Sequence, residues 1–221
     1  MLKQRIVETN EGIQNKLTAE IFDQFAKNMR DRGWNNVGSF IEAGIMSGDA
    51  LEIGPGPGYI GLEWLRTSLG STLTGCEISR EMIKLAEKNA EEYGFSERTN
   101  YVEGNCMQLP FQDGSFDAVF SNGSLHEWEE PVRAFNEINR VLKPNGIFCI
   151  TDMRRDVNPA VKWMAYFSAR PKEIRPGFLT SLYASYTPGE LKELLAKSAL
   201  KHAVVAGDFF GLSISGKKTV F

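Results

Sequence analysis

Ala50-Leu51-Glu52-Ile53-Gly54-Pro55-Gly56-Pro57-Gly58-Tyr59-Ile60-Gly61 decides how this chain is read. Leu51 and Ile53 flank the acidic Glu52, and glycine then recurs at 54, 56 and 58. The run Tyr59 to Leu65 continues with helical spacing. The pattern predicts a buried strand, a tight turn and a helix. Glycine lets the backbone take positive φ and approach a ligand closely. Pro55 and Pro57 stiffen the turn. The helix that follows offers free N–H groups and the positive end of its dipole. A nucleotide-like ligand suits such a loop. A glycine-rich connection serving packing alone is the alternative, but so dense a spacing rarely has that purpose only.

The 221 residues are enough for one well-cored domain with an elaboration. Hydrophobic residues make up 42% and charged residues 24%, both ordinary for a globular protein. A net charge of -3 gives no electrostatic footprint for nucleic acid or an anionic membrane. Cys76, Cys106 and Cys149 form no CxxC pair and sit in strand-like runs, as small buried thiols in a reducing compartment would. The N-terminus lacks the apolar stretch of a signal peptide, and no apolar run reaches the ~18 residues of a membrane span. A cytoplasmic protein is expected.

Apolar residues at four-residue intervals, Ile13, Leu17, Ile21, Phe25 and Met29, predict an amphipathic helix over 11–31. A shorter one is expected over 36–46. Strands are expected at 49–53, 72–77, 99–104, 116–121 and 147–151. Helices should start after Ser79, at Pro131, at Asn158-Pro159 and at Thr187-Pro188-Gly189-Glu190, a capping box. Ala203–Ala206 and Leu212–Ser215 read as an antiparallel pair. Strand and helix alternate five times. The fold class is therefore α/β: a doubly wound, Rossmann-like, mostly parallel seven-stranded sheet with an antiparallel C-terminal hairpin and helices on both faces. The organisation expected is a single domain over 1–221. It comprises a helical cap (11–46), a cofactor-binding core (48–152), a substrate-side insertion (153–186) and a C-terminal helix and hairpin (187–221).

In such a sheet the ligand lies beyond the carboxyl ends of the strands. Glu77 closes the second strand about twenty residues after the glycine loop, where a carboxylate can accept bonds from ribose hydroxyls. Ile78 and Met82 could sandwich an adenine. The pattern Gly56-Pro57-Gly58-Tyr59-Ile60-Gly61 also satisfies the dinucleotide fingerprint. Glu52 argues against a dinucleotide, since a carboxylate there can meet an ammonium but would repel a pyrophosphate.

Several segments in order resemble one family. Leu51 to Gly58, Gly75-Cys76-Glu77-Ile78-Ser79 with Met82, Gly104-Asn105 with Leu109-Pro110-Phe111, Phe116 to Val119, and Glu137 to Gly146 are similar to the motifs of class I S-adenosylmethionine-dependent methyltransferases of the type 11 domain group. The likeness covers roughly residues 48–152. Two positions depart from it. Asn105 stands where the family usually has Asp, and Asn145 replaces a glycine of the usual Pro-Gly-Gly turn; Asn tolerates positive φ. The resemblance implies that Glu52, Gly54, Gly56 and Gly58 hold the methionine end of S-adenosyl-L-methionine. It implies that Glu77 holds the ribose and that Ile78, Met82, Asn105, Cys106 and Met107 surround the adenine. Ser121 and Asn122 would approach the sulfonium. The task left to the enzyme is in-line alignment of an activated methyl group with a nucleophile, with S-adenosyl-L-homocysteine as product; no metal is needed.

On the substrate side, His126 could take a proton from an acidic nucleophile or simply shape the pocket. Trp128 and Tyr166 are candidate pocket residues. Arg154 and Arg155 could clamp an anionic group on the acceptor, or pair with Asp152 and Asp156. The expectation is a methyltransferase for a small-molecule acceptor, monomeric or homodimeric, with no nucleic-acid or membrane partner. An NAD(P)-dependent oxidoreductase and a non-catalytic cofactor-binding regulator are the alternatives.

Overall fold

The computed structural model describes residues 4–6, 8 and 12–219. The expected helix start at residue 11, the first three residues and the last two of the C-terminal segment lie outside them. Seven strands form one sheet: β1 (Asp49–Ile53), β2 (Thr72–Glu77), β3 (Thr99–Glu103), β4 (Phe116–Asn122), β5 (Leu142–Met153), β6 (Val204–Gly207) and β7 (Gly211–Lys217). The helices are α1 (Lys16–Asp31), α2 (Val37–Glu42), α3 (Tyr59–Thr67), α4 (Arg80–Tyr93), α5 (Pro131–Val141), α6 (Pro159–Ser168), α7 (Arg175–Ala184) and α8 (Pro188–Leu195). The strand order is β3-β2-β1-β4-β5-β7-β6. The β1–β2, β1–β4, β2–β3 and β4–β5 pairs are parallel, and β7 runs antiparallel between β5 and β6.

Each face of the sheet carries its own core. Leu51 and Ile53 point to the face covered by α5 and α8, where Phe135, Ile138, Leu191 and Leu195 are buried. Ala50 points to the opposite face, with Leu62, Trp64 and Leu65 of α3 and Phe40 of α2. There the Phe40 and Phe120 rings stack at 4.6 Å, and the Trp64 indole N–H donates to the Ile45 carbonyl at 3.0 Å. This alternation along β1 is the period-two rule of a strand buried on both sides.

The local signals explain most boundaries. Ser79 caps α4 by accepting from Met82 N–H, and Gly94, at φ 72°, ends it. Thr187 and Glu190 exchange the two bonds of a capping box at the start of α8. Asn145 takes φ 63°, as its turn position requires. Three expectations need correction. The first helix begins at Lys16, capped by Asn15, so Ile13 lies in an extended lead-in and Leu17 faces solvent. β5 starts at Leu142, because Phe116 pairs with Leu142 before the Pro144-Asn145-Gly146 turn shifts the register. Helix α7 was not expected: Arg175-Pro176-Gly177 opens it, and its apolar residues form no stripe that a period of 3.6 would reveal.

Gly61, inside α3, lies where that helix crosses the sheet. A Cβ there would stand 2.3 Å from Glu52 Oε2 and 2.4 Å from Leu73 Cδ2. Alanine would gain about 1 kcal/mol of helix propensity. Overpacking costs about 1–3 kcal/mol, and two contacts this short put the cost at the upper end. Gly61→Ala is therefore expected to lower stability by about 2 kcal/mol, read as a reduced urea midpoint at unchanged slope.

Candidate functional site

The loops after β1 to β5 open into one cavity of about 900 Å³. That is the upper part of the ~300–1,000 Å³ range of small-molecule sites. Its floor is the β1–α3 turn. Gly54 has φ 64° and donates its N–H to the Cys76 carbonyl at 2.9 Å, which ties the turn to β2. A side chain at Gly54 would meet Ser124 at 2.7 Å. Asn89 of α4 braces the turn from behind, donating to the Pro57 carbonyl at 2.8 Å.

Glu77 stands at one end of this floor. Its carboxylate accepts from Gly56 N–H at 3.0 Å and Ser79 N–H at 3.0 Å. Burial raises its pKa, and the backbone N–H bonds from Ser79, Gly56 and Ile78 act against that. Ile78, Met82, Asn105, Cys106 and Met107 border the cavity beside it. The Asn105 side-chain oxygen already accepts from Met107 N–H at 2.8 Å, in a turn of the loop's own. Cys106 lies in that loop and not on a strand. It shares the cavity wall with Cys76, and burial pushes both thiols up to about 12.

Beyond β4, Asn122, His126 and Trp128 also line the cavity. Asn122 accepts from Thr151 at 2.9 Å and from Asn36, which precedes α2. The Trp128 indole donates to Ser124 Oγ at 3.2 Å. His126 is buried, with Nδ1 3.0 Å from both carboxylate oxygens of Asp152. Its backbone N–H donates to the same carboxylate at 2.8 Å. Burial pulls the imidazole pKa down, but Asp152, Glu127 and Glu8 outweigh burial and leave it at about 9. Glu127 is pushed up to about 7 by burial, with His126 opposing.

Other predicted residues are not on the cavity wall. Ser121 is fully buried and donates to the Ile53 carbonyl at 2.8 Å. Gly58 caps α3 in the left-handed region at φ 84° and backs onto Tyr101 and Ala86. Glu52 is 1% exposed and turns toward α3, where it takes a bond from Gly61 N–H; its Oε2 has no hydrogen-bond partner. The alternation along β1 dictates this, since Ile53 is the residue that faces the ligand side. Tyr166 packs against Trp163, Phe167 and the Arg175 guanidinium, while Val161, Met164, Ala165 and Ser168 are the cavity-facing positions of α6.

Neither arginine is a free anion clamp. Arg154 forms a two-pronged pair with Asp156, at 2.7 and 2.8 Å, and donates to the Asp208 carbonyl. Arg155 donates to the Ser185 carbonyl and to Glu190. The wall residues missed in the sequence come from distant segments: Glu8, Phe22 and the pair Phe209-Phe210 in the β6–β7 turn. Adjacent aromatics in a tight turn were the one local signal.

The comparisons bear on this geometry directly. Residues 51–150 match the methyltransferase domain family. A demethylmenaquinone methyltransferase of Lactobacillus johnsonii is 27% identical over 187 residues, covering 78% of this chain and 76% of that protein. Residues 51–150 thus resemble the methyltransferase domain family in sequence, and the whole chain shares the fold of S-adenosylmethionine-dependent methyltransferases. An erythromycin 3''-O-methyltransferase of Saccharopolyspora erythraea is 32% identical over 112 residues, which is 50% of this chain and 37% of the relative. A solved structure from Methanococcus maripaludis, provisionally named an S-adenosyl-L-methionine-dependent methyltransferase, superposes with TM-score 0.75 at 21% identity. It covers 97% of this chain and 98% of that one. Among the described residues, no helix is long and apolar enough to cross a membrane.

Glu52 supplies a test of the buried geometry. Burial, then Glu77, raises its pKa to about 8. The native state thus holds a proton that the unfolded chain has lost, between the ordinary carboxylate range and pH 8, so stability falls as pH rises through that window. Glu52→Gln removes this dependence. Its stability relative to wild type, followed by melting temperature, is expected to climb steadily from pH 5 to pH 8 and level off above, a change in unfolding free energy on the order of a few kcal/mol. An equal gap at pH 5 and pH 8 would show that Glu52 titrates as an exposed carboxylate does.

Proposed function

We propose that this protein moves the methyl group of S-adenosyl-L-methionine to a small, uncharged and largely apolar acceptor. The observation that carries the reading is Glu77. It is a buried carboxylate pinned by two backbone N–H groups at the mouth of a glycine turn, with apolar Ile78 and Met82 beside it. Such a group fits a ribose diol, and the flanking side chains fit an adenine face. The Gly54–Pro57 turn would hold the methionine end, and Asn105, Cys106 and Met107 the base edge. When bound, the cofactor supplies a methyl sulfonium, an electrophile that needs only alignment.

The acceptor side is argued from charge. Among the described residues, seven carboxylate residues border the cavity: Glu8, Glu63, Glu77, Glu127, Glu129, Asp152 and Asp208. Arg30 is the one described arginine there, and no described lysine is. Arg30 is held by Asp31 at 2.6 Å and by Tyr93. An anionic acceptor would meet net repulsion, since the cationic groups on the wall, Arg30 and His126, are already paired with carboxylates. Phe22, Phe25, Met29, Phe178 and Phe210 give the rest of the wall to an apolar body. The Lactobacillus relative's name, a demethylmenaquinone methyltransferase, agrees with a neutral ring as acceptor. The erythromycin relative methylates oxygen by its name, so the acceptor atom is not carried over from either.

Strand order speaks against the oxidoreductase alternative. Dinucleotide enzymes of this architecture use the parallel order 3-2-1-4-5-6, whereas here the antiparallel β7 is inserted beside β5. Calorimetric titration separates the two. S-adenosyl-L-homocysteine is expected to bind one to one and NAD(P) not at all, with Glu77→Gln weakening the former at least tenfold, or about 1.4 kcal/mol. Binding of NAD(P) alone would overturn the assignment. In a radiolabelled methyl assay, an uncharged aromatic acceptor is expected to exceed its carboxylated analogue in kcat/KM by at least tenfold. The reverse preference would sink the argument from cavity charge.

A further inference from the structure

Glu8, His126 and Glu127 bring one imidazole nitrogen and two carboxylate oxygens within 4.8 Å of one another on the cavity wall. These residues come from the N-terminal segment and from the loop after β4. Three features set them apart from an ordinary acidic patch. The first is the orientation of the imidazole. Asp152 engages His126 twice, at Nδ1 and at the backbone N–H, so the ring cannot turn and Nε2 is aimed away from the sheet. A carboxylate behind one ring nitrogen is the arrangement that fixes metal-ligating histidines.

The second feature is Glu8. Its Oε1 accepts from Thr180 at 2.9 Å and Ser181 at 3.4 Å. Its Oε2 is shielded from solvent and has no hydrogen-bond partner. That oxygen lies 3.5 Å from His126 Nε2, too long for a sound hydrogen bond. His126 faces that oxygen at ion-pair distance but without a hydrogen bond, so the oxygen, shielded from water, lacks a close partner that a coordinated cation would be. The third feature is that the segment bearing Glu8 is fastened in place. Arg5 donates to the Ala184 carbonyl and, at 2.9 Å, to the carbonyl of His126 itself. Ile6 N–H bonds to the Tyr183 carbonyl at 3.2 Å.

We propose that His126 Nε2, Glu8 and Glu127 form a binding site for a single divalent first-row transition-metal ion. Glu127 Oε1 lies 3.9 Å from Nε2. Adjacent ligands of such an ion, at bonds of about 2.0–2.2 Å, stand about 2.8–3.6 Å apart. The three donors, within 4.8 Å of one another, therefore close by about an ångström at their widest, a movement that side-chain rotation supplies. One imidazole with two carboxylates suits Mn²⁺, Fe²⁺ or Zn²⁺ better than Mg²⁺ or Ca²⁺, which favour all-oxygen sets. Three protein ligands leave positions open toward the cavity, the layout of a catalytic rather than a structural site. The ion would tie the N-terminal segment to the end of β4. Its use in lowering the pKa of a hydroxylated acceptor rests on the methyl-transfer reading; the binding itself does not.

The test uses the full-length protein after chelator treatment, with no cofactor present. Mn²⁺ titrated by electron paramagnetic resonance is expected to bind one to one with a micromolar or tighter Kd, and Zn²⁺ to displace it. Glu8→Gln and Glu127→Gln should each weaken Mn²⁺ at least tenfold, while Glu129→Gln, on the same cavity wall, should not. Electron spin-echo modulation should show one directly bound ¹⁴N from His126. Absence of stoichiometric binding, affinity unchanged in both glutamine variants, or a spectrum without nitrogen coupling would each overturn the site. S-adenosyl-L-homocysteine affinity, measured on the same samples, reports separately on the cofactor reading, so failure of one is not mistaken for failure of the other.

Discussion

The two N–H bonds that hold the Glu77 carboxylate are the constraint on which the site depends. One comes from Gly56, in the turn after β1, and the other from Ser79, where α4 begins. A carboxylate buried to this degree is unfavourable, and charge-assisted backbone bonds are what offset it. Those bonds also set positions. They fix the turn relative to β2, and Ser79 in turn caps α4. The Gly54 bond to Cys76 acts in the same direction on the same pair of strands. Gly56 can reach Glu77 because it, Gly54 and Gly58 adopt positive φ, which only glycine does cheaply. A ligand that met Glu77 would thus meet a group already held in place, with little to reorganise on binding.

Charge is distributed unevenly between the inside and outside of the cavity. The cations that follow β5 are engaged by neighbours: Arg154 by Asp156, Arg155 by Glu190 and Ser185. The cavity keeps the carboxylates. His126 is the counterweight, and its raised pKa expresses how strongly its three acidic neighbours demand positive charge. A proton satisfies that demand with one charge; a divalent ion would satisfy it with two.

What could be read from the sequence was what lies close in sequence. Leu51-Glu52-Ile53 with its glycines, the Ser79 and Thr187 caps and the Gly94 stop each act within about five residues, so their signals are local and their elements appeared where expected. Glu52 shows where local reading stops. Its position before the glycines suggested contact with the ligand, but side-chain direction in a strand is set by which face must be filled, and the α3 face claims it. The arginine pair fails for a related reason. Asp156 was visible as a partner for Arg154, but Glu190 reaches Arg155 only because α8 folds back on the end of β5.

The far wall of the cavity could not be read because it is assembled from remote pieces with no shared period. Glu8 precedes the first helix, Phe22 lies on α1, Phe178 on a helix without an amphipathic stripe, and Phe209 in a hairpin turn. Each residue alone has an ordinary explanation in packing. Only the fold gives them a common boundary, at the carboxyl ends of strands whose order reverses at β1 and β4. The wall at the glycine turn is built from consecutive residues of a few loops, which a short motif can specify. The opposite wall has no such motif, so the chain encodes it in side chains that tertiary structure alone brings together.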